Sequence, residues 1–436
     1  MATEPDIENQ PAPLIVHGLK GQPSSDSEGP APSNDEFQPP DGGLVAWSQV
    51  AAGCLINMMA WGYPSTFGVF QLYYRDTLGL PEAQISWIGS LQTFLAFFLC
   101  TLSGRLADAG HVRSTVIAGS FLVVFGTFMT SLATKYWEIF LAQGLCTGLG
   151  LGIVFMPPLA IINSYFDKNR SYALAISATG TGIGSVVFPA TIQYLIPQIG
   201  FPWAVRCSAF VALFISAASL SMLRPRLSPR KSGPLVEWQA FKELPYTLFA
   251  IGGFLFFWAL YFGFFFVNAY ARNVIGFSTT DSVQLLLIVN GLSVPSRPVV
   301  GYLADRYIGP INLFSSAIFL LGVVSFAWIG VTTRTGMYVF TVFFGLSNGA
   351  AQGVFVGSLA SLTKDPRKMG TRFGMVCTIA AFATLAGPPT SGAIIDKSDG
   401  RYTWAQIWAG LVIILSAVMM ASARVAATGM RLKVKI

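Results

Sequence analysis

The chain has 436 residues, of which 53% are hydrophobic and 11% charged, and a formal net charge of +7. Soluble globular domains carry about 25% charged residues, so the composition excludes an ordinary aqueous domain and points to a membrane. All five cysteines (Cys54, Cys100, Cys146, Cys207 and Cys377) fall in apolar runs, where free thiols rather than disulfides are expected.

Residues 1–40 hold eight prolines, seven acids and one lysine. Such a stretch cannot bury enough apolar surface to offset its ordering entropy, and a disordered acidic cytoplasmic tail is expected. It lacks the basic start and apolar core of a signal peptide. A membrane helix needs about 20 mostly apolar residues, and twelve runs meet that need. They lie at 46–70, 83–104, 114–133, 138–164, 171–195, 203–223, 246–271, 281–303, 311–333, 337–362, 371–395 and 404–427. The expected fold is an all-α membrane protein of twelve transmembrane helices.

An even number of spans puts both termini on one side. The connections on that side hold eighteen basic residues and the opposite connections six. This positive-inside bias places both termini in the cytoplasm. The loop 224–245 carries five basic residues and divides the spans six and six. The expected units are therefore the tail 1–40, halves 41–223 and 246–427, the cytoplasmic linker 224–245 and a basic cytoplasmic end, 428–436.

Gly104-Arg105-Leu106-Ala107-Asp108 and Gly301-Tyr302-Leu303-Ala304-Asp305 write one box twice, 197 residues apart. At the same offset Gly148 and Gly152 match Gly345 and Gly349, spacings that let membrane helices approach closely, and Arg170 matches Arg367. Two pseudo-symmetric six-helix halves with a substrate path between them describe the major facilitator architecture. Gly104, Asp108, Gly301, Asp305 and Arg306 are candidate gating residues. The glycines would allow close packing, and the aspartates would cap the next helix or pair with basic neighbours. The first copy degrades into Ala109-Gly110-His111 while the second keeps Asp305-Arg306, so the second half is expected to carry the stronger latch.

Arg297 is the one basic side chain well inside a predicted span of the second half, where a charge costs about 2.5–3.5 kcal/mol on insertion scales. A substrate anion could be its partner; the alternative is that it bonds carbonyls or caps helix ends. Asn57, Tyr63, Ser65, Thr66, Gln92, Gln143, Tyr261, Asn268, Asn290, Asn348 and Gln352 complete a candidate substrate cavity, although buried amides can equally join helices. The seventh helix is rich in aromatic rings that could stack on a ring-bearing cargo. Two histidines provide no His-rich metal site, no phosphate loop supports ATP-driven pumping, and no lysine within a span could hold retinal. Neither enzyme activity, nor a cofactor, nor nucleic-acid binding is expected. The expected partners are a small-molecule substrate and the lipid bilayer, with the chain monomeric.

Three further segments resemble the monocarboxylate-transporter family of the major facilitator superfamily, in its fungal branch. Pro40-Asp41-Gly42-Gly43 leading to Trp47 resembles that family's first signature. Tyr165-Phe166-Asp167-Lys168-Asn169-Arg170 through Gly180 resembles its second, and Gly387-Pro388-Pro389 its G-P-P motif. The resemblance implies secondary transport by alternating access. It also shows departures: Ser65 and Thr66 follow Pro64 where relatives keep a lysine, and Ser293 stands where an aspartate precedes the arginine. Simple proton–monocarboxylate symport is therefore not implied. The expectation is a plasma-membrane carrier for a small, anionic or carboxylate-bearing metabolite. Export of a fungal secondary metabolite, uptake of a monocarboxylate or vitamin, and a nutrient sensor on a transporter fold remain alternatives.

Overall fold

The computed structural model describes residues 39–226, 234–363 and 365–430. Nearly all of the expected acidic tail, the middle of the linker and the basic end beyond residue 430 lie outside the described residues. Among the described residues every regular element is helical. The helices are α1 (Leu44–Asp76), α2 (Gln84–Asp108), α3 (Val112–Thr130), α4 (Tyr136–Tyr165), α5 (170–199), α6 (201–222), α7 (Leu244–Ile275), α8 (Gln284–Ile308), α9 (Pro310–Gly330), α10 (Arg334–Leu362), α11 (Pro366–Lys397) and α12 (Thr403–Thr428).

The boundary between α5 and α6 sits inside one unbroken run, Arg170–Met222, of 53 residues. Gly200 divides it, at φ 77° and ψ 163°. That conformation is open to glycine and strained for other residues, so the chain turns there and starts a new helix with Pro202 near its first turn. With this break the twelve expected spans are present.

Small residues set the helix spacing. A Cβ added at Gly180 would overlap the carbonyl oxygen of Cys54, and one at Gly184 that of Met58, so α1 and α5 run backbone to backbone. The repeat is visible in the packing as well. A Cβ at Gly148 would lie 3.0 Å from the Gln92 Cα, and one at Gly345 3.0 Å from the Val289 Cα. Gln92 and Val289 are themselves 197 apart. Gly152 approaches Leu95 and Leu99, while Gly349 approaches Ser293 and Ser296, repeating the contact of α4 with α2 in that of α10 with α8.

The offset then changes. Tyr165 ends α4 and Leu362 ends α10, still 197 apart, but α5 begins at Arg170 whereas Pro366–Lys368 form a 3₁₀ turn before Met369. The second connection is longer by two residues. The match of Arg170 with Arg367 is therefore a register slip, and Lys168 is the positional counterpart of Arg367. Arg170 instead closes its own loop, donating to the Phe166 carbonyl and pairing with Asp167 at 2.7 Å.

Helices α1–α6 pack together, as do α7–α12, and the halves meet chiefly where α2 lies against α11 and α5 against α8. The end of the bundle that carries both G-x-L-A-D boxes is called the motif end below.

Candidate functional site

At the motif end each box reaches across to the other half. Asp108, at the end of α2, accepts from the backbone N–H groups of Gly370 (3.1 Å) and Thr371 (2.7 Å) and from the Thr371 hydroxyl (2.6 Å). Asp305, near the end of α8, accepts from the N–H groups of Ser171 (3.1 Å) and Tyr172 (2.7 Å). Each carboxylate thus satisfies orphan donors in the first turn of a helix and sits at its positive dipole end. The capped helices are α11 and α5 of the opposite half, not the next helix in the chain. The pairs Ser171–Gly370 and Tyr172–Thr371 are both 199 apart, confirming the two-residue insertion.

Gly104 permits this closeness. A Cβ there would overlap the Gly370 carbonyl oxygen, while one at Gly301 would lie 2.5 Å from the Ala175 Cβ and 2.9 Å from the Ser171 oxygen. Both carboxylates also meet a hydroxyl, Thr371 on Asp108 and Ser171 on Asp305, so the two caps are alike and neither copy stands out as the stronger latch. Arg306 is exposed on the outside of its turn.

The two sequence signatures at the start of the chain and before α5 touch one another. The Asp41 carboxylate accepts from the N–H groups of Asp167 (2.6 Å) and Lys168 (2.8 Å), and its own N–H donates to the Tyr165 carbonyl at 3.1 Å. Trp47 lays its ring against Phe166 and Tyr172, with centroids 5.2 and 6.0 Å away. The signature residues build a collar around the first turn of α5, the turn that Asp305 caps.

In the second half the linker does the same for α11, and the sequence alone did not reveal it. Glu237 accepts from Lys368 at 2.6 Å and from Arg372 at 3.4 Å, and Arg372 forks onto Glu243 at 3.0 and 2.5 Å. The Arg372 guanidinium also lies over the Tyr246 ring, 5.6 Å from its centroid. Burial alone would raise the Glu237 carboxyl, but the Lys368 bond and the Arg372 charge outweigh it and hold it below the usual glutamate range. A carboxyl with a lowered folded pKa contributes stability that is fully present above its unfolded value of about 4.3 and is lost as pH falls through the folded value. The thermal unfolding midpoint is therefore expected to drop on acidification below about pH 4.3, and to drop less in Glu237→Gln, as followed by differential scanning fluorimetry across pH.

Nearer the middle of the bundle, Arg297 on α8 is 2% exposed. Its Nη1 donates across the interface to the Ala178 carbonyl of α5, and its Nη2 to Gln352 Oε1 at 3.1 Å. Gln352 Nε2 in turn donates to Asn348 Oδ1 at 2.8 Å. Arg297 Nε has no partner, and among the described residues no carboxylate pairs with this guanidinium. Gly353 makes room for it, because a Cβ there would lie 3.0 Å from the Arg297 Cα. The structure thus joins Arg297, Asn348 and Gln352 in one polar cluster on α8 and α10.

The other candidates separate. Asn57 donates to the Gly53 carbonyl and to Ser177 at 3.0 Å, and Gln143 accepts from Tyr74 at 2.6 Å; both join helices within the first half. Tyr63 is 1% exposed and wedged between Phe70 and Phe188. Thr66 donates to the Gly62 carbonyl and Asn290 to that of Leu286. Gln92 Nε2 and Asn268 Oδ1 are buried without partners. Ser65 is exposed and meets Ser185 at 2.8 Å, and Tyr261 is half-buried against Phe264 and Phe265. A chain of rings crosses between the halves: Trp61 rests on Phe97 (4.4 Å) and Phe155 (5.0 Å), Phe97 on Phe257 (5.2 Å), and Phe257 on Phe355 (5.4 Å). Trp61 and Phe97 are not legible in the sequence, because one more ring in an apolar span carries no signal.

The family model described as Major Facilitator Superfamily matches residues 50–388. The chain belongs to the major facilitator superfamily. It is 40% identical over 403 residues to an MFS-type transporter of Gibberella zeae, covering 92% of this chain and 91% of that one. It is 32% identical to the aspyridones efflux protein apdF of Emericella nidulans, covering 90% of this chain and 80% of the relative. It is also 32% identical to the agnestins efflux protein AgnL12 of Paecilomyces divaricatus, covering 92% and 91%. Among solved structures it shares its fold with the human organic anion transporter MFSD10, at a TM-score of 0.70 and 15% identity over 88% of this chain and all of that one. The fold is also that of the fucose transporter FucP in its outward conformation (TM-score 0.65, 13% identity, 86% of this chain and 98% of that one). The protein is an integral membrane transporter of this superfamily, not an enzyme.

Proposed function

We propose that this facilitator exports a small, carboxylate-bearing secondary metabolite from the cytoplasm across the plasma membrane by alternating access. The observation that carries the anionic cargo is Arg297: a guanidinium 2% exposed in a membrane helix, with an unpartnered Nε and no carboxylate beside it among the described residues. A cargo carboxylate supplies the missing charge and displaces the Ala178 carbonyl, which releases one contact between the halves. Export is supported by the relatives named as efflux proteins for aspyridones and agnestins. The excess of basic residues in the connections at the motif end supports a cytoplasmic motif end and cytoplasmic termini, and on that orientation the carrier is closed toward the cytoplasm. The units are those of the sequence, tails and linker cytoplasmic, and the chain works as a monomer.

Uptake of a monocarboxylate is the second reading, favoured by the collar that Asp41 and Trp47 form with the segment before α5. Untargeted metabolite profiling of cells and medium, with and without the gene, separates the two: export leaves the cargo depleted outside the deletion strain, and uptake leaves it accumulated there. Restoring Arg297→Ala is expected to give at least about tenfold less net transport than the wild type at equal surface amount, the loss of one charge-assisted interaction of ~1.5–3 kcal/mol. Arg297→Lys should recover part of it. Wild-type transport by Arg297→Ala removes the anion role.

A further inference from the structure

Two thiols face each other across the seam between the halves. Cys100 belongs to α2 and Cys377 to α11, and both are 0% exposed. The backbone brings them together. A Cβ at Gly374 would overlap the Cys100 carbonyl oxygen, so the two helices touch at that level. The Cys100 Sγ donates back to the Ala96 carbonyl at 3.2 Å, pointing away from the motif end. Cys377 lies one turn past Gly374 in that same direction, because α11 runs antiparallel to α2. The Cys100 and Cys377 side chains are neighbours at this level. The next rung is Thr101 with Thr378, whose hydroxyl oxygens are 2.7 Å apart. Among the described residues no other two of the five cysteines are neighbours in this way, and transport does not use this pair.

We propose that Cys100 and Cys377 form a redox lock that holds the motif end shut when a hydroperoxide oxidises the carrier. Buried thiols with no cationic neighbour are inert, so the closed state protects them. Opening the motif end parts α2 from α11 and lets water reach both. One thiolate then attacks the peroxide: the O–O bond breaks, a sulfenic acid forms on that sulfur, and the other oxygen leaves as water or an alcohol. Closure returns the second thiol to contact distance. It attacks the sulfenic sulfur, the S–S bond forms, the S–O bond breaks, and the hydroxyl leaves as water with the thiol proton. The linked carrier has lost two hydrogens and cannot part its halves along this seam. A reducing thiol reverses the bond by exchange. Only carriers that open are captured.

The test uses the full chain in native membranes, with Cys54, Cys146 and Cys207 replaced by serine, and hydrogen peroxide as oxidant. Peptide mass spectrometry without reduction should find the peptides of Cys100 and Cys377 joined and lighter by two hydrogens. Amide hydrogen exchange in the first turns of α5 and α11 should slow several-fold, and dithiothreitol should restore it. Cys377→Ser should abolish both effects. As a second arm, Thr101→Cys with Thr378→Cys replaces the native pair, itself changed to serine; this rung must join if the seam closes. Joining there without joining of the native pair overturns the proposal. So does joining at neither rung, and so does a joined native pair whose amide exchange is unchanged.

Discussion

Replacing Gly104 by alanine is expected to open the motif end and to cut transport by about tenfold or more. The added Cβ would overlap the carbonyl oxygen of Gly370, and a backbone oxygen in the first turn of α11 cannot rotate aside as a side chain can. Overpacking of this kind costs about 1–3 kcal/mol, or roughly 5- to 150-fold in an equilibrium constant at 1.4 kcal/mol per factor of ten. The cost falls on the closed state alone, since Gly370 belongs to the other half and moves away on opening. Ala160 lines the small cavity between the halves at this end, with Ser164, Pro366 and Arg367, and reports on it. In inside-out membrane vesicles, Ala160→Cys in a protein whose native cysteines are serine should react faster with a membrane-impermeant maleimide once Gly104→Ala is added. Gly301→Ala should act in the same direction but more weakly, because its nearest obstacle, the Ala175 Cβ at 2.5 Å, stands farther off than the Gly370 oxygen stands from Gly104. Gly184→Ala supplies the contrast: its clash is with Met58 of the same half, so it should lower folded yield without changing labelling. Unchanged labelling in folded Gly104→Ala would show that the seam does not govern closure.

The reasons that this gate was partly legible in the sequence are physical. A box repeated at one offset, with glycines at contact spacing, reports helix pairs that must touch twice, and the packing of Gly148 on Gln92 and Gly345 on Val289 follows directly. The span count was legible because crossing a membrane demands about 20 apolar residues, and Gly200 with Pro202 marks the one break inside a continuous run. The crosswise caps were not legible. Asp108 and Thr371 are far apart in the chain, and a carboxylate after a helix reads as a cap for its neighbour. Glu237 with Lys368 and Arg372 was hidden for the same reason, as ordinary charges in loops. The cavity was harder still. In a membrane bundle the lipid face and the packed face of a helix are both apolar, so the periodic pattern that orients a helix in water is absent. Asn57 and Gln143 therefore read the same way as Asn348 and Gln352. Only the structure shows that the first two fasten helices of one half, while Gln352 holds Arg297 and Asn348 holds Gln352.

Neutralising the caps tests the gate from its attractive side. Asp108→Asn keeps the shape and one acceptor oxygen but replaces the other with an amide donor, which then faces the N–H of Gly370 or Thr371. It also removes the negative charge from the positive end of α11. An N-cap contributes typically about 1 kcal/mol, and a charge in a partly buried dipole site up to about 2. Each of Asp108→Asn and Asp305→Asn should therefore weaken closure by about 5- to 30-fold, read as faster maleimide reaction of Ala160→Cys. Each carboxylate meets two backbone N–H groups and one hydroxyl, so the two single variants should be similar in size. Thr371→Val, which removes the hydroxyl alone, should account for about 1 kcal/mol of the Asp108 effect. The caps close different helices and share no partner, so their free energies should add in the double variant. That sum, about 2–4 kcal/mol, approaches the whole bias that keeps a two-state carrier on one side. The double variant is then open at the motif end for most of its cycle and transports poorly, although it is folded and at the surface. A double variant that labels no faster than either single one would mean that a single cap, not the crossed pair, holds this end shut.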